Sequence, residues 1–175
     1  GANLAYCPSG KRHLLLSETG AEMRNQLEKK AATSQRNDVC ISNAKAEQLS
    51  FDDNRFDYVI ASLVCCSVTN IDRSLAEIYR VLKPGGRYLF IEHVAAKTDS
   101  KARRWQEWLT PLWRKFAGNC HLNRETEKAM LRAGFEFVHS QGLQDNKGSK
   151  ELQYLLVDKM ISYNKHRKNC ECCPV

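Results

Sequence analysis

The stretch between Phe56 and His93 constrains the fold most, because it has the pattern of a strand, a helix and a second strand. A run of β-forming residues over 56–64 precedes apolar residues at helical spacing, and a Pro-Gly-Gly turn at 84–86 leads into another apolar run. A strand–helix–strand unit of this kind predicts two neighbouring parallel strands that are buried on both faces. Because parallel sheets bind ligands at the carboxyl ends of their strands, we expect the chemistry near the ends of these two strands.

The remaining segments extend this unit into an alternating pattern of strands and helices. Further strands are predicted over 12–17, 38–43, 135–143 and 152–160, and further helices over 21–32, 102–117 and 123–133. Pro111 interrupts the longest of these helices, so we expect a kink or two short helices there. The last two strands are joined by a short polar loop, which predicts an antiparallel pair. The expected fold class is therefore α/β, with a doubly wound, mostly parallel sheet and an antiparallel C-terminal strand pair.

Length and charge limit the domain organisation and the partners. A chain of 175 residues with 42% hydrophobic and 27% charged residues is long enough for one domain with a buried core. We place this domain at 1–160, followed by a basic, cysteine-rich tail over 161–175. The formal net charge of +7 is spread over several clusters, which favours solvated surface over a patch for nucleic acid or anionic membrane. We therefore expect no nucleic-acid partner. The sequence has no apolar run long enough to predict a membrane span, and it has no recognisable signal peptide.

Eight cysteines are present, but their spacing does not predict a disulfide or metal scaffold. Cys40, Cys65 and Cys66 fall within predicted strands, where a thiol packs as a small apolar group. The tail over 170–173 has a Cys-x-Cys-Cys pattern without a second spaced pair, so no metal site is expected. S-acylation of this tail stays open. The cysteine usage fits a reducing compartment best.

Two segments outside the central unit have features of a nucleoside site. Glu18 follows the predicted strand over 12–17, where a carboxylate can accept hydrogen bonds from two ribose hydroxyls. A carboxylate that caps the following helix would give the same pattern. The loop over 46–57 follows another strand and can lay its backbone N–H groups against a flat aromatic base. The alternative for this loop is a plain surface connection.

Together these segments are more specific than any one of them. The chain resembles the Rossmann-like S-adenosylmethionine (SAM)-dependent methyltransferases in two patterns, Ala46-Glu47-x-Leu49 followed by Phe56-Asp57, and Ile78-x-Arg80-Val81-Leu82-Lys83-Pro84-Gly85-Gly86. The resemblance implies a Rossmann-like fold with SAM as the cofactor, bound across the carboxyl ends of the first four strands. It also implies that Glu18 holds the ribose. The implied cofactor-binding residues are Gly1, Ala2, Asn3, Glu18, Thr19, Ala46, Glu47, Ser62 and Leu63.

A narrower resemblance is to the methyltransferase-like protein seven family. It rests on Ser62-Leu63-Val64-Cys65-Cys66-Ser67-Val68, Glu92-His93-Val94-Ala95-Ala96 and Asn119-Cys120-His121-Leu122-Asn123-Arg124-Glu125. Members of that family are similar to thiol S-methyltransferases that move a methyl group from SAM to small alkyl thiols. The resemblance implies a small apolar acceptor, a thiol. It also implies a location on the cytoplasmic side of the endoplasmic reticulum or on lipid droplets, through an N-terminal hydrophobic segment.

The sequence departs from this family in its first residues. Of the glycine-rich motif that ends the family's first strand, only the last glycine is present, as Gly1. Lys45 stands where many relatives have an acidic residue near the adenine. We therefore expect an N-terminally truncated chain whose sheet lacks its first strand and exposes two edges. We also expect no membrane anchor within the chain, which leaves a cytosolic location open.

His93 is the candidate catalytic residue, because it ends a predicted strand and can bias an acceptor thiol toward the thiolate. A thiol with a pKa of about 8.5 is already a few per cent ionised near neutral pH, so a strong base is not essential. The alternative for His93 is a hydrogen-bonded residue at a strand end. Cys65 and Cys66 are expected in the core rather than as nucleophiles, since the transfer needs no covalent enzyme intermediate.

The predicted helix over 102–117 carries aromatic residues that admit three interpretations. They can form an acceptor pocket over the active site, pack the helix on the sheet, or dock shallowly on a membrane as a peripheral contact. These residues are Trp105, Trp108, Trp113 and Phe116. The leading functional hypothesis is methyl transfer to an alkyl thiol. A lipid, sterol or quinone-type acceptor and a catalytically inactive remnant stay as alternatives.

Overall fold

A computed structural model of the chain describes residue 4 and residues 13–34, 36, 38–143 and 158–165. Within these ranges the elements in chain order are β1 (Leu14–Ser17), α1 (Ala21–Thr33), β2 (Val39–Ser42), β3 (Phe56–Ser62), α2 (Ile71–Val81), β4 (Leu82–His93), α3 (Lys101–Phe116), α4 (Thr126–Arg132), β5 (Phe135–Leu143) and β6 (Asp158–Lys165). The alternation of strands and helices agrees with the predicted α/β pattern.

The element boundaries correct the sequence predictions in three places. The last strand, Asp158–Lys165, continues beyond the predicted end at residue 160, while residues 152–157 of the predicted strand lie outside the described residues. α4 begins at Thr126, three residues later than predicted. α3 continues through Pro111 to its end, so of the two predicted alternatives, a kink or two short helices, the second is wrong. Pro111 is exposed on this helix. Proline has no backbone N–H, so one carbonyl oxygen in the preceding turn lacks its usual donor. Water can donate to that oxygen instead.

The described strands form two sheets. β1 pairs in parallel with β2, and the second sheet has the order β3-β4-β6-β5. β3 and β4 are parallel, whereas β6 lies antiparallel between β4 and β5. The α/β class with an antiparallel C-terminal strand pair is therefore confirmed. One edge of β1 and one edge of β3 have no strand partner within the described ranges.

The Pro-Gly-Gly turn shapes the start of β4. The pairing of β3 with β4 shifts here, so that residues 83–86 bulge out of the ladder. Gly85 adopts a φ of 78°. A Cβ on Gly86 would lie 2.8 Å from the carbonyl oxygen of Lys83. Both glycines are therefore needed, one for its backbone conformation and one for a close chain contact, as the sequence predicts.

The main hydrophobic core lies on one face of the β3–β4 pair, under α2 and α4. Leu75 and Ile78 of α2 pack there against the buried rings of Tyr88 and Phe90. Asn70 is the N-cap residue of α2, and its side-chain oxygen accepts the backbone N–H of Arg73 at 2.9 Å. This packing fixes β4 relative to β3 and so positions the ends of both strands. Within the described ranges, no helix is long and apolar enough to cross a membrane.

Candidate functional site at the strand ends

The chain turns sharply where β3 ends. β3 stops at Ser62, because Leu63 adopts a left-handed backbone φ of 56°. A positive φ is unfavourable for a leucine, so the surrounding contacts must hold it. The predicted strand through Val64 is therefore too long, and Cys65 and Cys66, which were also expected within a strand, belong to a loop instead. We call residues 63–69 the β3 loop.

The carboxylate of Glu92 anchors the N–H side of the β3 loop. Its Oε1 accepts the backbone N–H groups of Val64 and Cys65, each at 2.8 Å, and its Oε2 accepts that of Cys66 at 2.9 Å. Glu92 is fully buried. Burial raises the pKa of its carboxyl, although the three N–H groups act in the opposite direction. A buried carboxylate with three backbone donors holds the loop in one conformation.

Arg124 anchors the carbonyl side of the same loop. Its Nη1 donates to the carbonyl oxygen of Cys65 at 2.6 Å and to that of Val68 at 2.9 Å. The backbone N–H of His121 donates to the carbonyl oxygen of Cys66 at 2.8 Å. The loop is therefore fixed from both sides, which is the kind of support that a precise binding site requires.

Three side chains with reactive atoms meet beside the β3 loop. His93 Nδ1 lies 3.2 Å from Cys120 Sγ and 3.8 Å from Cys66 Sγ. A hydrogen bond between the two thiols lowers the pKa of Cys120 to about 7 and raises the pKa of Cys66. We call Cys66, His93 and Cys120 the Cys–His cluster.

His93, the predicted catalytic residue, is the last residue of β4 and is half-buried. Its contacts with Cys66 and Cys120 agree with the alternative of a hydrogen-bonded residue at a strand end. These contacts also fix the imidazole close to the β3 loop. The catalytic role stays a prediction.

Glu18 and Thr19 lie in the link between β1 and α1. Glu18 Oε1 accepts the backbone N–H of Gly20, the N-cap residue of α1, at 2.9 Å. The carboxylate thus binds the backbone directly before the helix that follows, although α1 has no side-chain cap hydrogen bond at its N-cap residue. A carboxylate has more acceptor sites than one N–H group occupies, and Glu18 is only half-buried. This geometry is therefore compatible with a ribose, and the predicted role stays a prediction.

Ala46 and Glu47 lie in the link between β2 and β3, and both are half-buried. Glu47 Oε1 accepts the backbone N–H of Thr69 at 2.8 Å. This contact joins the link to the β3 loop. Cofactor binding by Ala46 and Glu47 stays a prediction, but the loop that contains them is held against the strand ends.

The structure brings part of the predicted site together. Because β3 and β4 are parallel, Ser62 and Leu63 lie at the same end of the sheet as His93. Glu18 follows β1 of the other sheet, and Gly1, Ala2 and Asn3 lie outside the described residues. A surface hollow near the start of α3 contains none of the predicted residues and is lined by Thr98, Asp99, Arg103, Arg104, Glu107 and Glu125.

Sequence reasoning missed the roles of Glu92, Arg124 and Cys120. Cys120 is isolated in the sequence, and Cys66 was placed within a strand, so no spacing pattern linked the two. The available signal was Glu92, a carboxylate within an apolar strand. A buried charge needs hydrogen-bond partners, and an unpaired loop beside the strand end could supply them.

The aromatic residues of α3 divide between two faces. Trp113 is half-buried and packs against the small cluster that contains Cys66 and Cys120. Trp105 and Trp108 contact each other edge to face, with ring centroids 5.6 Å apart, and both are exposed. The interpretation of α3 as a packing helix therefore holds for only one of its faces. The exposed set, which we call the aromatic face, is Trp105, Trp108, Leu112 and Phe116.

Comparison with known proteins decides the family. The sequence profile of the methyltransferase domain family matches residues 1–90. The chain belongs to this family. Human thiol S-methyltransferase TMT1A is 44% identical over 92 residues, which cover 53% of this chain and 38% of the human protein. The ubiquinone/menaquinone biosynthesis C-methyltransferase UbiE of Brucella canis is 42% identical over 65 residues, covering 37% of this chain and 24% of that protein. The matches thus span less than half the length of these curated relatives.

Solved structures confirm the methyltransferase fold. A SAM-dependent methyltransferase from Thermotoga maritima superposes with a TM-score of 0.62 at 22% identity, covering 92% of this chain and 84% of that chain. The Rossmann-like architecture predicted from the sequence is therefore correct. The cofactor of the family is SAM, which is also the predicted one.

Proposed function

We propose that this chain is part of a SAM-dependent methyltransferase that transfers a methyl group to a small alkyl thiol. The observation that carries the proposal is the fixed β3 loop, which lies at the carboxyl ends of two parallel strands with His93 beside it. This is where a parallel α/β sheet binds its ligands. The similarity to human thiol S-methyltransferase TMT1A supports a thiol as the acceptor.

In this proposal the cofactor lies along the strand ends. Glu18 accepts the ribose hydroxyls, and the backbone near Ala46 and Glu47 contacts the adenine. The remaining contacts come from Gly1, Ala2, Asn3, Thr19, Ser62 and Leu63. Bound SAM would supply a methyl group on a sulfonium that is already activated for displacement. The half-buried carboxylate of Glu18 and the exposed Ser62 and Leu63 fit these roles, since each can reach a ligand from the surface.

The residues of the chain would align the acceptor, exclude water and accept the proton of the acceptor thiol. Alignment alone can contribute roughly 7–11 kcal/mol to a reaction between two bound molecules. His93 Nδ1 lies 3.2 Å from Cys120 Sγ, and we assign the imidazole proton to Nδ1, so that it donates to that sulfur. Nε2 is then the nitrogen that accepts the proton of the acceptor thiol.

Cofactor binding is tested by isothermal titration of the chain with SAM. Glu18→Gln should weaken binding roughly tenfold or more, because it removes charge-assisted hydrogen bonds to the sugar. Glu22→Gln, an exposed substitution in the first turn of α1, the helix that follows Glu18, is the matched control and should leave the affinity unchanged. Equal affinities of the two variants would remove Glu18 from the site.

The acceptor is tested with SAM carrying a labelled methyl group. We expect transfer to an alkyl thiol and none to the alcohol of the same chain length, because the alcohol is hardly ionised near neutral pH. The similarity to UbiE favours one competing acceptor, a quinone precursor, which belongs in the same panel. Transfer to that precursor alone would replace the thiol proposal. SAM binding without transfer to either acceptor would indicate an inactive remnant.

We also propose a peripheral membrane contact through the aromatic face, at the cytoplasmic side of the endoplasmic reticulum or at lipid droplets. Exposed aromatic side chains on one face of a helix, flanked by cationic residues, are typical of helices that lie in a membrane interface. The flanking cations are Lys101, Arg104 and Lys115, all of them exposed.

A further inference from the structure

The Cys–His cluster brings together three metal-ligating atoms from three separate parts of the chain. Cys66 lies in the β3 loop, His93 ends β4, and Cys120 lies between α3 and α4. The two Sγ atoms and the imidazole nitrogen all lie within 4.8 Å of one another. Thiolate sulfur and imidazole nitrogen are the donors that zinc prefers in proteins.

The spacing of these atoms fits a tetrahedral ion. Zinc–sulfur bonds of about 2.3 Å and zinc–nitrogen bonds of about 2.0–2.1 Å give a sulfur-to-nitrogen edge of roughly 3.6 Å in a tetrahedron. The two observed edges are 3.2 Å, from His93 Nδ1 to Cys120 Sγ, and 3.8 Å, from His93 Nδ1 to Cys66 Sγ. Shifts of a few tenths of an ångström would therefore bring these two edges to the ideal value, and the sulfur-to-sulfur edge lies within 4.8 Å.

The backbone around the cluster is already fixed. Cys66 is tied to Glu92 through its N–H and to His121 through its carbonyl oxygen. Cys120 donates its own N–H to the carbonyl oxygen of Ala117 at 3.0 Å. Both cysteines are buried and His93 is half-buried, so a bound ion would face solvent only past the imidazole. Such an arrangement leaves one of four coordination positions for an exogenous ligand.

We propose that Cys66, His93 and Cys120 form a site for a thiophilic divalent cation, zinc, with three protein ligands and one open position. The two thiolates neutralise the charge of the ion. Binding displaces the thiol protons of Cys66 and Cys120 to solvent, and the imidazole coordinates through Nδ1 with its proton on Nε2, so that a metal-bound His93 no longer accepts a proton from a substrate thiol. The site is a property of the fold and does not depend on which acceptor the enzyme uses.

The test is a titration of the reduced full chain with Co²⁺, which reports thiolate ligands through its charge-transfer absorption. The tail also contains cysteines, so Cys170, Cys172 and Cys173 are first replaced by serine. This background should bind one equivalent of Co²⁺, which Zn²⁺ should displace. Cys66→Ser or Cys120→Ser should weaken binding at least about tenfold, since even outer-shell changes at metal sites cost roughly 10–100-fold. Cys40→Ser, at an exposed cysteine, is the matched control and should bind Co²⁺ as the background does.

A second measurement does not depend on buried substitutions that disturb folding. X-ray absorption of the zinc-loaded background chain should show two sulfur ligands and a first-shell imidazole. No binding by this background, binding that survives Cys66→Ser, or a first shell without two sulfurs would each overturn the proposal.

Discussion

Glu92 Oε2 lies 2.9 Å from the backbone nitrogen of Cys66, and Oε1 of the same buried carboxylate accepts two more N–H groups of the β3 loop. Glu92→Gln replaces one oxygen by an amide NH₂, which would face a backbone donor. We expect this substitution to lower the free energy of unfolding by about 2–3 kcal/mol, measured by urea denaturation. Glu28→Gln, on the exposed side of α1, should change it by less than about 0.5 kcal/mol. Similar losses for both variants would contradict this role of Glu92.

The order of strands and helices could be predicted because it depends on local patterns. The apolar run after Phe56, the helical spacing of Leu75 and Ile78, and the paired glycines at 85 and 86 all determine backbone structure within a few residues. The structure confirms each of them, including the positive φ of Gly85.

The site was less predictable because its contacts join residues far apart in the sequence. No local rule places a left-handed Leu63 after a β-forming run, and that single turn moves Cys66 from a strand into a loop. The proximity of Cys66 to Cys120 then depends on how β3, α3 and α4 pack together. Glu18 shows a further limit, since one carboxylate pattern fits both a helix cap and a ribose contact.

Arg124 should control the mobility of the β3 loop. Its guanidinium donates to two loop carbonyl oxygens, and Arg124→Lys replaces the planar fork by a shorter-reaching ammonium. We expect the amides of residues 64–66 to exchange with deuterium roughly 5–30-fold faster, which corresponds to about 1–2 kcal/mol of lost protection. Arg132→Lys, at an exposed ion pair with Asp72, is the control and should leave those amides unchanged. Unchanged exchange in the Arg124 variant would show that Arg124 does not restrain the loop.

The ion pair between Arg80 and Glu77 gives a pH-dependent contribution to stability. The Arg80 guanidinium, 2.8 Å from Glu77 Oε1, holds the pKa of that carboxyl below its ordinary value of 4.5. A lowered pKa in the folded state stabilises the fold above the unfolded pKa, and this contribution is lost as the pH falls through the folded pKa. Glu77→Gln should therefore be about 1 kcal/mol less stable than the unmodified chain at pH 7. The difference should shrink as the pH falls below 4.5, measured by urea denaturation at several pH values. A difference that stays constant across this range would assign the effect to packing.

The aromatic face of α3 should bind lipid. Trp108 and Phe116 are 70% and 81% exposed, so their insertion into a membrane interface would bury apolar surface that the described contacts leave in water. Burying one such ring contributes roughly 1.5–3 kcal/mol, so Trp108→Ala or Phe116→Ala should weaken binding to anionic phosphatidylserine-containing vesicles by about tenfold or more in a sedimentation assay. Met23→Ala, at an exposed apolar residue of α1, is the matched control. Because cations flank the face, binding should also fall with salt. If all three variants bind vesicles equally, the contact does not use this face, and its aromatic residues are then free to line the acceptor pocket that the sequence left as an alternative.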